Sequence, residues 1–275
     1  MPYQIHIIFN CEEEERLTKP IIDNSPDKVY YFKAYIKETG QTDVNVAFYE
    51  RNVKSLKDQI PELVIKDKIV DYTDYIETIQ ELSKIIRKER ERDSECQIYI
   101  NVSSGSKITS LAAVEASKLW DCEIYYVYSS YYDPLGPAKN QPMHKGKVII
   151  KTPTTFPIRQ PKRQYLRILN LIGEMIEDKY RNKEYNKKKR KYLFKKYVID
   201  KLYDEGLLKL QRKNKDPRKL TSSLYMKGTK YFNHLEKELK FIKISDDKRN
   251  KKIFLTKKGQ DILDIFKYSG VSNNR

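Results

Sequence analysis

The chain has 275 residues, of which 39% are hydrophobic and 34% charged, with a formal net charge of +17. That length suits two domains better than one and supplies enough apolar side chains for a core in each. No apolar run reaches the length of a membrane span, and the start, MPYQIHIIFN, has neither a basic lead nor a small-residue cleavage site, so no membrane partner and no secretory route is expected.

Three cysteines, Cys11, Cys96 and Cys122, are far apart and lack any CxxC pairing or histidine cluster. They read as reduced thiols in a cytoplasmic protein, with no disulfide frame, no metal site and no cofactor. The charge is unevenly spread. Residues 1–150 hold 20 Lys/Arg and 24 Asp/Glu, a net of −4, whereas residues 151–275 hold 35 and 14, a net of +21. A half-chain with that excess suits a polyanion partner. The alternative is a lysine-rich solubilising surface.

In chain order, YQIHIIFN reads as a first strand and EEEERLTKPIIDN as a short helix with carboxylates at its start, where they suit the dipole. KVYYFKAY is a second strand. VNVAFYERNVKSLKDQI has helical spacing through Val46, Tyr49, Val53, Leu56 and Ile60, and ELVIKDKIVDY is a third strand. YIETIQELSKIIRKERERD places Ile76, Ile79, Leu82 and Ile86 on one helical face. CQIYINV and CEIYYVYS are two more strands, flanking a helix over 106–121. Strands alternating with helices imply a parallel sheet covered on both faces, with ligands bound beyond the carboxyl ends of its strands. The Pro- and Gly-rich stretch YYDPLGPAKNQPMHKG is a long turn, and KVIIK an added edge strand.

Pro153, Pro157 and Pro161 then recur every four residues, which favours an extended linker. Beyond it, QYLRILNLIGEMIEDKY is amphipathic through Leu166, Leu169, Ile172 and Ile176. KKKRKYLFKKYVIDKLYDEGLLKL reads as one long basic helix ending near Gly206. A third helix lines Leu224, Gly228, Tyr231, Leu235 and Leu239 on one face, leaving Ser222, Ser223, Tyr225, Lys227, Lys230 and His234 on others. FIKI and KIFLTKKG form a hairpin around the charged turn SDDKRNK, and QDILDIFKY is a last helix. The fold class expected is α/β: a Rossmann-like parallel sheet domain over 1–152, a linker over 153–163, and a winged helix-turn-helix α+β domain over 164–275. In such a domain Arg218, Lys219, Ser222, Ser223, Tyr225, Lys227 and Lys230 face double-stranded DNA, and the wing residues Lys248, Arg249, Lys251 and Lys252 reach phosphates. A winged helix used only for protein contacts is the rival reading.

The segment NVSSGSK, Asn101 to Lys107, joins a strand to a helix. A glycine-containing turn there exposes backbone N–H groups, which with the helix dipole form an anion pocket. Ser103, Ser104 and Ser106 add hydroxyls, and Lys107 adds a point charge suited to phosphate. Ser104 or Ser106 also serves as a helix cap. The spacing fits neither GxxxxGK[ST] nor GxGxxG, which argues against an ordinary nucleoside triphosphatase or NAD enzyme.

A Rossmann-like domain with this loop before its penultimate helix, linked to a winged helix, resembles the CRISPR-associated Rossmann-fold (CARF) regulators, in their archaeal winged-helix branch. The resemblance implies a homodimer with a cyclic oligoadenylate, cyclic tetra-adenylate favoured, lying across the twofold axis. Carried over by position, Asn10 and Cys11 head the first contacting loop, and Asn101, Ser103, Ser104, Gly105, Ser106 and Lys107 form the second. Glu12 to Glu15 follow at once and suit a phosphate only if they turn away. Tyr125, Tyr126, Tyr128, Tyr131 and Tyr132 offer faces for adenine stacking, although core or interface roles are the commoner use. The function implied is a ligand-responsive, DNA-binding transcription regulator in antiviral defence. The alternatives are a metal-independent ring nuclease with Lys107 stabilising the phosphate charge, and a protein-binding adaptor; enzymatic activity is not the leading expectation.

Overall fold

Strand β1, Gln4–Phe9, buries five consecutive side chains from Ile5 to Phe9, the mark of a strand covered on both faces. The computed structural model of the chain describes residues 2–153, 161–181, 190–209 and 217–266 and divides it into two units, residues 1–159 and 160–275. The linker residues 154–160, Pro157 among them, lie outside the described residues.

In the first unit β1 is followed by α1 (Glu15–Asn24), β2 (Lys28–Ile36), the two-residue β3 (Gln41–Thr42), α2 (Val46–Gln59), β4 (Val64–Asp71), α3 (Tyr75–Arg92), β5 (Gln97–Asn101), α4 (Lys107–Trp120), β6 (Glu123–Tyr132) and β7 (His144–Lys151). The spatial order β4-β2-β1-β5-β6 is parallel throughout; β7 adds antiparallel to β6, and β3 turns back antiparallel onto the end of β2. Alternation along β1 sends Ile5, Ile7 and Phe9 towards Leu82, Ile86, Ala113 and Ala116 of α3 and α4, and Ile8 towards Leu17, Ile21 and Leu56 of α1 and α2. A mixed α/β layer structure results, with a mainly parallel sheet flanked by helices. His6, the buried polar residue of β1, sits 3.1 Å from the Tyr125 hydroxyl, and burial lowers its pKa to about 4, so it is neutral.

The expected stripe of α2 needs one correction. Val46 is exposed, while Phe48 and Asn52 are buried. Asn52 earns its inward position by donating to the Glu13 carbonyl at 2.8 Å and the Tyr31 hydroxyl at 2.9 Å. Periodicity registers apolar side chains and is blind to such a bond.

The second unit contains α5 (Arg163–Tyr180), β8 (Leu193–Phe194), α6 (Lys195–Asp204), α7 (Pro217–Asn233), β9 (Ile242–Ile244), β10 (Lys252–Leu255) and α8 (Lys257–Phe266). The strands form an antiparallel sheet in the order β8-β10-β9. One expectation is corrected here. The long basic helix is a two-residue strand followed by a ten-residue helix, because Leu193 and Phe194 pair with Ile253 and Lys252. The third helix widens into a π turn at His234–Glu238, while its expected stripe holds: Leu224, Gly228 and Leu235 are buried, Tyr231 and Leu239 pack against the same core, and Phe232 joins them. A Cβ on Gly259 would lie 1.9 Å from the Phe241 carbonyl oxygen, so only glycine lets α8 approach the hairpin this closely.

At the amino end of the parallel sheet, Lys28 donates to both Glu89 carboxylate oxygens at 2.9 Å, and the Tyr30 hydroxyl donates to the same carboxylate. Both members of the ion pair are buried. Burial raises the Glu89 carboxyl, but the hydrogen bonds from Lys28 and Tyr30 and the Lys28 charge outweigh it and hold the group below its usual value. A depressed folded pKa stabilises the fold above the unfolded value of about 4.3 and loses that contribution as pH falls through the folded value. Lys28→Met strands a buried carboxylate and is expected to cost about 3–5 kcal/mol in urea denaturation at neutral pH. A cost below about 0.5 kcal/mol, ordinary for a surface substitution, contradicts this.

Candidate ligand site at the carboxyl ends of the strands

The chain leaves β1 for a helix on one face of the sheet and leaves β5 for a helix on the other. Two neighbouring parallel strands that part in this way open a crevice at their carboxyl ends. Asn10–Cys11 and Asn101–Lys107 both lie there.

The two asparagines build this end of the sheet from within. Asn10 is 1% exposed; its Nδ2 donates to Asp43 Oδ2 at 2.9 Å and to the Asn45 carbonyl at 3.0 Å, and its Oδ1 accepts from the Tyr31 hydroxyl at 3.1 Å. Tyr72 donates its hydroxyl to the Asn10 carbonyl at 3.0 Å. Asn101 is fully buried, donates to the Arg16 carbonyl at 3.0 Å, and accepts from both the N–H and the hydroxyl of Ser103. Both side chains therefore shape the loops rather than line their surface. Cys11 is half-buried and accepts a hydrogen bond from the Gly105 N–H, which ties the first loop to the second. Burial pushes its thiol up to about 12, so it is an uncharged lining atom.

Gly105 holds φ +81, and a Cβ there would lie 2.6 Å from Thr109 Oγ1 and 2.7 Å from Phe9 Cβ. The turn therefore requires glycine on two counts. Ser106 caps α4: its Oγ accepts from the Thr109 N–H at 3.1 Å and donates to the Tyr72 carbonyl at 2.7 Å. Ser103 Oγ donates to Asn101 and accepts from the Val127 N–H at 2.6 Å. Ser104 Oγ is buried with no hydrogen-bond partner among the described residues. Lys107 is the first residue of α4, exposed, and without an ion pair or hydrogen bond among the described residues. The N–H groups of Lys107 and Ile108 also lack an acceptor among those residues. The crevice thus presents helix N–H groups and one unpaired ammonium, an arrangement suited to an oxyanion.

Two of the four glutamates turn to cations. Glu13 is buried against Arg16 Nη1 at 3.0 Å and against His144 Nδ1, and Glu14 pairs with Arg51 at 2.7 Å. Arg16 also donates Nε to the Val127 carbonyl at 2.8 Å, so it braces β6 and the start of β7 against the first loop. His144, the first residue of β7, closes this cluster beside Arg16 and Glu13. Glu12 has no ion pair among the described residues and lies near enough to Cys11 to raise its pKa. Of the tyrosines weighed for stacking, Tyr125 is buried against His6, while Tyr126, Tyr128, Tyr131 and Tyr132 are exposed.

In the second unit Ser222, Tyr225 and Lys230 are exposed on α7. Ser223 and Lys227 are half-buried, and Lys227 donates to the Lys209 carbonyl. Arg218 and Lys219 fall within this helix, but their side chains lie outside the described residues. Lys248, Arg249 and Lys251 are exposed between β9 and β10. His234 stacks on Tyr165 at a centroid distance of 4.3 Å. Among the described residues no group of three His, Cys, Asp or Glu side chains could hold a metal ion, and no helix is long and apolar enough to cross a membrane.

A family model described as "HFX_2341_N:-like, N-terminal" matches residues 4–132. No curated protein matches the chain. Among solved structures, Csm6 of Enterococcus italicus bound to cyclic hexa-2'-fluoro-hexa-dAMP is similar at 11% identity and TM-score 0.41, over 86% of this chain and 56% of that one. Can2 from Sulfobacillus thermosulfidooxidans in complex with cyclic tetra-adenylate is similar at 15% identity and TM-score 0.37, over 97% and 64%. Protein VC1899 from Vibrio cholerae is similar at 10% identity and TM-score 0.35, over 98% and 66%. The chain therefore spans less than two thirds of the length of each of these proteins.

Ser106→Ala removes the α4 cap and is expected to cost about 1 kcal/mol in denaturant unfolding. Gly105→Ala, forced into a left-handed conformation and two close contacts, is expected to cost about 1–3 kcal/mol. Equal stability of Gly105→Ala and the parent chain contradicts the turn geometry.

Proposed function

We propose that the chain is a ligand-responsive, DNA-binding transcription regulator. Its first unit senses a cyclic oligoadenylate, cyclic tetra-adenylate by preference, and its second binds double-stranded DNA. One observation carries the reading: Lys107, without an ion pair among the described residues, stands beside N–H groups that lack an acceptor among them, at the start of α4 and the carboxyl end of β5. A cation at a helix start opposes the dipole, and a phosphate placed there satisfies both. The resemblance of NVSSGSK to the CARF loop supplies the ligand class and the link to CRISPR antiviral defence.

The order helix, strand, helix, helix, hairpin, helix in the second unit supports the winged-helix reading, and the +21 balance of residues 151–275 supports a nucleic acid partner. A homodimer follows from the symmetry of a cyclic ligand, which suits an isologous interface. Ligand binding then alters the spacing of two winged helices, and half-site spacing reports it. Cleavage of the ring is the weaker reading: Ser103 and Ser106, which would position the phosphate for cleavage, already donate their hydroxyls to Asn101 and to the Tyr72 carbonyl.

Cyclic tetra-adenylate is expected to shift the mobility-shift titration of a duplex by this protein. Lys107→Ala should weaken ligand binding by about tenfold or more, as for loss of one charge-assisted hydrogen bond, and leave DNA binding without ligand intact. Glu12→Gln removes a carboxylate near the crevice and should tighten ligand binding by roughly two- to fivefold. Unchanged ligand affinity in Lys107→Ala contradicts the site.

A further inference from the structure

Beside α7 the second unit has a cleft of about 1010 Å³. Its charged lining is Lys195, Lys196 and Lys251 against the single carboxylate of Asp200, beside the rings of Tyr197 and Tyr225. The sequence pattern points Tyr225 and Lys251 at DNA, whereas Lys195 is hidden within a lysine-rich run. The structure makes Lys195 unusual. It is only 4% exposed, and its Nζ donates to Thr229 Oγ1 at 2.8 Å and lies 4.7 Å from the Tyr225 ring centroid.

No carboxylate lies within ion-pair distance of Lys195 among the described residues. An ammonium has three donors, and Thr229 accepts one. Lys195 is also the first residue of α6, where the helix dipole disfavours a cation. Burial, and then the neighbouring Lys251, lower its pKa, and the more distant Glu236 carboxylate only partly opposes them. A buried, unpaired cation at a helix start is costly, and an anion entering the cleft relieves each part of that cost.

We infer that this cleft seats the sugar–phosphate backbone of a nucleic acid strand, with Lys195 as a buried phosphate contact. The inference rests on the DNA-binding reading above and adds the residue that holds the backbone. A lysine suits phosphate as a point charge, and tyrosine hydroxyls are common phosphate contacts. Tyr197 and Tyr225 stand exposed at the mouth, next to Ser222 of α7. An acidic peptide is the competing occupant. The strong positive balance of the half-chain and the polar α7 residues beside the cleft favour the nucleic acid.

The test is fluorescence anisotropy of the full chain with mixed-sequence duplexes across a salt series, with poly-glutamate as a second probe. Lys195→Met should weaken duplex binding by about tenfold on unrelated sequences and lower the slope of log affinity against log salt by about 1. Tyr197→Ala, an exposed position that leaves folding intact, should weaken binding by roughly threefold with the slope unchanged. Thermal melting establishes that Lys195→Met is folded; if it is not, Tyr197→Ala decides alone, and unchanged affinity overturns the inference. A folded Lys195→Met with the parent slope overturns it while leaving the DNA reading standing. Loss of poly-glutamate binding with duplex binding kept assigns the cleft to an acidic peptide and also overturns it. A parent chain that binds no duplex at low salt overturns the DNA reading and this inference with it.

Discussion

Strand β1 is paired on both sides by parallel neighbours, and the remainder of the first unit follows from that constraint. Its buried side chains on both faces require helices on both faces. Because the chain departs from β1 and β5 towards opposite faces, their carboxyl ends cannot be covered by a single connection. The crevice is thus a product of topology. Which residues occupy it is a matter of sequence, and here they are a thiol, a glycine turn and a lysine.

The loops around the crevice are held by hydrogen bonds made behind them. Asn10 links β1 to the approach to α2 and to β2, and Asn101 links β5 to α1 and to its own turn. Arg16 spends its guanidinium on Glu13 and Val127, which removes one carboxylate from the field at the crevice and fixes β6 beside Ser103. These contacts preorganise the α4 N-terminus, so its donors are in place without rearrangement.

Much of the fold was legible because its signals are long and repeated. The alternation of apolar runs with the 3.6-residue stripes of α3 and α5 marked the long elements. Failures came where a polar or two-residue feature decided the outcome: Asn52 turned inward by its hydrogen bonds, and Leu193–Phe194 drawn into a sheet. The candidate site was partly legible. NVSSGSK announced the capped glycine turn, but nothing in the sequence told that Asn10 and Asn101 would be buried, or that Glu13 would face Arg16 and His144. Lys195 was illegible, since only burial distinguishes it from the lysines around it. Lys107 and Lys195 both open helices against the dipole, one exposed and one buried, and both positions are suited to a phosphate.

The central claim is that one ligand site and one DNA site are thermodynamically coupled within this protein. It is tested most directly by measuring that coupling in both directions, with calorimetry of cyclic tetra-adenylate binding in the presence and absence of duplex, and of duplex binding in the presence and absence of ligand. Linkage requires the two factors to be equal. The account predicts a common factor of about 5 or more. Binding of both ligands with a factor of one in each direction, or no binding of the cyclic oligoadenylate at all, contradicts it.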